Sequence, residues 1–139
     1  MGDFEEGMKY WRDAGHVARR TLEAMKDELQ PGKTWHEIIE AAERFIHRHG
    51  GKPAFPGTIA VNNIAAHFTT EHTVSPPEGW EGDMVLQKGD LVKIDYGVHI
   101  KGHIGDNALT FEVGNTNNHT EQIKAAREAR KARAGASRT

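Results

Sequence analysis

Cysteine is absent from the 139 residues, which excludes disulfides, thiolate nucleophiles and cysteine-ligated metals. Long apolar runs are absent too. No stretch approaches the roughly 18 residues of a membrane span, and no signal peptide is expected to precede the fold. Gly2 follows Met1 in "MGDFEE", but Glu6 stands where a myristoylation signal carries Ser or Thr. An excess of charge of one sign is also missing: the formal net charge is -2, so the whole molecule is not built as a nucleic-acid binder. No internal repeat or low-complexity segment is visible. The 37% hydrophobic and 27% charged shares then describe a soluble chain with a polar surface, long enough for one domain with a core. The cytoplasm is the default compartment, and no membrane partner is expected.

Apolar spacing predicts the elements. From about Gly7 to Leu29, residues Met8, Trp11, Gly15, Ala18, Leu22, Met25 and Leu29 recur at three- and four-residue steps, a helix ended by "QPG". Thr34 and Glu37 have capping-box spacing before a second helix. Its apolar side is Ile38, Ile39, Ala42, Phe45 and Ile46, and Gly50-Gly51 stops it. A short strand runs from Thr58 to Val61, and a further apolar run ends at His67-Phe68. Residues 71–83, rich in Pro, Gly and acids, read as an exposed loop. Strands follow from Leu91 to Ile100 and from Gly102 to Val113, joined by a tight turn at Lys101-Gly102. Asn118 or Thr120 caps a third helix running to about Arg133. The order α-α-β-β-β-α predicts an α+β domain over 1–139, an antiparallel sheet covered by helices on one face, with about 134–139 as a flexible basic tail.

Nine histidines invite a metal hypothesis. His36-Glu37 opens like a zinc-protease HExxH, but Glu40 occupies the place of the second His, so that reading fails. The sharper anomaly is Asp95 and Asp106, two carboxylates inside strands, which aspartate generally avoids. With a two-residue turn, parity places both on the same sheet face. They lie directly opposite if the loop is Ile100-Lys101 and diagonally if it is Lys101-Gly102. In either register they are roughly 5–8 Å apart, close enough for like charges to repel. A cation between them reverses the sign of that energy, and carboxylate oxygens suit hard or borderline divalent ions. Ile94, Tyr96, Val98 and Ile100 form the opposite, apolar face, while Gly97 and Gly105 mark places where a ligand or another backbone comes close. His99 and His103 point to opposite faces and do not chelate as a pair. His16, His36, His47 and His49 sit among helical charges as solvated residues, and His67 on residue type alone is a hydrogen-bonded core histidine.

Two motifs, "GKPAFPGTIAVNNIAAHFT" and "KGDLVKIDYGVHIKGHIGDNALTF", in this order, resemble methionine aminopeptidase of the type 2 form common to archaea and eukaryotes. The resemblance covers the chain to about Ala129 and implies half of a pita-bread fold, in which two similar α+β halves enclose a dinuclear metal site. By position it makes Asp95 and Asp106 metal ligands, His67 a catalytic residue that contacts the substrate, and Phe55 a wall of the methionine side-chain pocket. Lys101 departs from the acidic residue often found in that turn. One His and two Glu ligands of the family's second half have no counterpart in "AREARKARAGASRT".

From these residues follows the expectation of a homodimer whose twofold axis joins two copies of His67, Asp95 and Asp106 around two divalent ions, Co, Mn, Zn or Fe. Peptide N-termini are the implied substrate, with metal binding expected more readily than turnover. A binding platform of the same fold without catalysis and an inactive fragment remain as alternatives. The cations Lys124, Arg127, Arg130, Lys131, Arg133 and Arg138 read as a solvated helix face and tail, with no nucleic-acid partner.

Overall fold

The computed structural model describes residues 2–70 and 84–136. Helix α1 spans Gly2–Glu28, with Asp3 and Glu5 in its first turn and Lys26 in its last, both favourable to the helix dipole. It starts five residues before the predicted Gly7. Its buried face is Gly7, Ala14, Val17, Ala18, Thr21, Leu22 and Met25. Trp11, expected on that face, is about half exposed (49%), with His103 set edge-on against its ring.

Helix α2, Trp35–Arg48, begins with the predicted capping box. The Glu37 N–H donates to Thr34 Oγ1 (3.1 Å), and the Thr34 N–H donates to Glu37 Oε2 (2.7 Å). That second bond is the main reason the Glu37 carboxyl is held below its ordinary value. Ile38, Ile39, Ala42 and Ile46 are buried as the periodicity requires. Phe45 is only half-buried and stacks on His49 at 4.0 Å, so His49 is less solvated than its charged neighbourhood suggests.

The sheet has four strands: β1 (Lys52–Pro53), β2 (Thr58–Val61), β3 (Leu91–Ile100) and β4 (His103–Glu112). β3 is central and every pairing is antiparallel. β4 covers one edge, while β1 and β2 share the other. The two-residue strand β1 is an addition to the predicted order, too short and proline-bounded to register as a pattern. Along β3, Val92, Ile94, Tyr96 and Val98 are fully buried against α1 and α2. The Tyr96 hydroxyl donates to the Ile39 carbonyl at 3.2 Å, which ties the sheet to α2.

Gly105 explains how α1 and β4 approach so closely. A Cβ there would lie 2.5 Å from the Gly15 nitrogen and 2.6 Å from its Cα, so backbone packs on backbone, as the strand glycine foretold. Helix α3, Thr120–Ala136, buries no residue, and its cations are solvated. It extends beyond the predicted Arg133 into the expected tail, while residues 137–139 and the predicted 71–83 loop lie outside the described residues. Among the described residues, no helix is long and apolar enough to cross a membrane.

A methyl group at position 105 can be accommodated only by moving a helix backbone. Gly105→Ala is therefore expected to destabilise the fold by about 2–3 kcal/mol, the upper end for overpacking, read as a lower denaturant midpoint at unchanged slope.

Candidate metal centre

The turn between β3 and β4 is Lys101-Gly102, with φ of 48° and 81°, the paired positive values of a type I′ hairpin. This selects the diagonal alternative. Asp106 faces Gly97 and Asp95 faces Ala108, so the two carboxylates sit diagonally on the same face. Thr58 of β2 lies directly across from Asp95 on the other side. The Lys101 ammonium reaches back to α1, donating to the Tyr10 hydroxyl (2.6 Å), with Glu6 at 3.9 Å. A cation in place of an acid thus ties the turn down.

Asp95 and Asp106 line one cleft of about 440 Å³ together with Phe55 and His67. All four site residues expected from the sequence therefore border the same space. Pro56, Thr58 and Thr69 complete the wall and were not singled out by the sequence. Thr58 is brought there by the pairing of β2 with β3, whose register no pattern within either strand gives. His67 is exposed, not in the core, and its backbone is left-handed, with φ of 61°. A non-glycine residue in that region costs on the order of 1 kcal/mol and is held there by its surroundings. The neighbouring Phe68 supplies the hold, accepting from the Ile59 N–H (2.9 Å) and packing edge-on against Trp35. His99 shares the Asp95 face but serves the turn, its Nδ1 accepting from the Gly102 N–H at 3.3 Å. His103 lies on the helix side.

Electrostatically, Asp95 is unsettled. Its Oδ1 is buried without a hydrogen-bond partner among the described residues. Burial first, then the charge of Asp106 and a carboxyl–carboxyl hydrogen bond to it, hold the Asp95 carboxyl above its ordinary value, and His67 opposes this weakly. A buried, partnerless carboxylate oxygen beside a second carboxylate is a donor set that fits a divalent cation. Yet among the described residues no three His, Asp or Glu side chains form a group able to hold a metal ion, so His67 borders the pair without completing it.

The metallopeptidase family M24 model matches residues 9–138. A methionine aminopeptidase of Thermococcus kodakarensis is 43% identical over 117 residues, 84% of this chain and 36% of that protein. Among solved structures, methionine aminopeptidase from Rickettsia prowazekii superposes with a TM-score of 0.74 at 25% identity, over 90% of this chain and 50% of that one. Prolidase from Pyrococcus furiosus does so with a TM-score of 0.67 at 28% identity, over 85% and 33%. The chain thus spans about a third of the length of the curated relatives it matches, and its α+β sheet is part of their pita-bread fold. By sequence and by fold, this chain belongs to metallopeptidase family M24.

Proposed function

We propose that the chain binds divalent metal through Asp95 and Asp106 as part of a methionine aminopeptidase-like centre, completed by the same residues of a second copy. The observation that carries this reading is the orphaned Asp95 Oδ1 beside Asp106 in a cleft that also holds His67 and Phe55. Two carboxylates satisfy few of a cation's coordination positions, so further donors have to come from outside the described residues. A twofold partner supplies them in kind. The face carrying the acids offers such a partner the exposed Asp106, Ala108 and Ile104 (53% exposed), while Ile123, Arg127 and Arg130 of α3 border a cavity beside Asp95 and Ala108.

When bound, such ions polarise the scissile carbonyl and the attacking water. The chain's own contribution is positional. Asp95 and Asp106 hold the ions, His67 offers an imidazole N–H to the oxygen that gains negative charge, and Phe55 packs on the N-terminal side chain of a peptide. A symmetric site lacks a separate carboxylate free to serve as base, so hydrolysis of an N-terminal methionine is slow compared with metal uptake. A second reading, an inactive piece that needs the rest of a longer chain, draws support from the 36% span of the relatives.

Native mass spectrometry with and without Mn or Co separates the two. A dimer carrying two metals is expected, whereas a metal-free monomer supports the inactive-piece reading.

The elevated carboxyl of Asp95 yields a signed prediction. A carboxyl raised in the folded state contributes stability at low pH and loses it as pH rises through its folded value. At neutral pH, Asp95→Asn is therefore expected to raise the melting temperature of the metal-free protein by a few degrees. The difference should vanish in acid below the ordinary carboxylate range. The same substitution lowers Mn or Co affinity at least about tenfold, and wild-type affinity strengthens as pH rises and Asp95 ionises. Scanning calorimetry of the metal-free proteins across pH checks the first and isothermal titration with Mn or Co the second, and unchanged metal affinity in the variant would refute the ligand assignment.

A further inference from the structure

We infer that Gly97 is a positioning residue that sets the depth of the cleft by seating the Phe55 ring, and so governs which N-terminal side chain the cleft accepts. This rests on the reading of the cleft as a peptide N-terminus site. Strand alternation points position 97 to the same side as Asp95, directly across from Asp106. A Cβ there would lie 2.2, 2.7 and 2.9 Å from Cε1, Cδ1 and Cζ of Phe55. Carbon atoms pack at about 3.5–4.0 Å, so with any side chain at 97 the ring has to move by roughly 1 Å or more.

The backbone beneath Phe55 offers no easy retreat. The Ala54 N–H donates to the Gly97 carbonyl at 2.8 Å. Pro53, paired with Val98, and Pro56 bracket the segment and restrict its φ angles. Just beyond, Gly57 lies against Tyr96, where a Cβ would stand 2.3 Å from the ring, and Tyr96 is itself fully buried. The segment is tied to β3 before and after Phe55. A displaced ring therefore turns into the cleft that it now borders, filling the space left for a substrate side chain while Asp95 and Asp106 stay in their strands. The residue meets no metal and no substrate, and it acts through Phe55.

The test titrates L-methionine amide and L-alanine amide into cobalt-loaded wild type, Gly97→Ala, and Gly97→Ala combined with Phe55→Leu, at matched cobalt content. Wild type is expected to favour the methionine derivative. Gly97→Ala should reduce that preference about tenfold, the scale of one methylene group in an apolar pocket. The smaller side chain of Phe55→Leu should restore most of it. A purely structural role for Gly97 would change stability and leave the ratio alone, so a Gly97→Ala protein that keeps the wild-type ratio overturns the inference. If Gly97→Ala does not fold, the double variant takes its place; its failure to fold also overturns it. Should wild type take up no cobalt, the metal reading falls separately. The same titration on unloaded protein then judges the cleft, and a wild type without preference sinks this inference as well.

Discussion

The register of the β3–β4 hairpin is the constraint on which the site depends. Lys101 and Gly102 both adopt positive φ, which turns the chain in two residues and places Asp106 across from Gly97. A slip of one residue would send every side chain of β4 to the other face. Asp106 would then point into the helices and Gly105 would no longer receive α1. The turn is held from outside the sheet as well, because Lys101 bonds to Tyr10 and lies 4.6 Å from the centre of that ring. Helix α1 thus enforces through its first turns the geometry that brings two carboxylates together.

Packing and chemistry occupy opposite sides of one strand. On the helix side, Val92, Ile94, Tyr96 and Val98 alternate into a dry core, and Gly105 lets a helix backbone touch the sheet. On the other side, Lys93 and Asp95 carry charge into partly buried positions. Burial pulls the Lys93 ammonium below its ordinary value, although its Nζ donates to the Asn62 carbonyl at 2.8 Å. Asp95 has no such compensation among the described residues for its Oδ1. In a domain whose net stability is small, an orphaned charged oxygen is a cost that a fold retains when something outside it satisfies the group. Membership of a metallopeptidase family gives that observation a chemical direction.

Much of this was legible locally. Capping at Thr34 and Glu37, helix α2, the strands and the parity of Asp95 and Asp106 rest on interactions within a few residues, or on the strict two-residue repeat of a strand. The family likeness, carried by two contiguous motifs, pointed to Phe55 and His67 as well. Other features lay beyond a local pattern: the short strand β1, the outward turn of Trp11, the left-handed backbone of His67 and the place of Thr58 beside Asp95.

By itself the sequence determined that two carboxylates share one sheet face, since alternation and a two-residue turn leave no other outcome. Tertiary structure alone decided the loss of a hydrogen-bond partner at Asp95 Oδ1 among the described residues and the identity of what fills the space above each strand glycine. The Phe55 ring covers Gly97 and the α1 backbone covers Gly105, at separations of 42 and 90 residues along the chain. Such neighbours are chosen by which surfaces fit when the whole core closes, and no short-range preference encodes that fit.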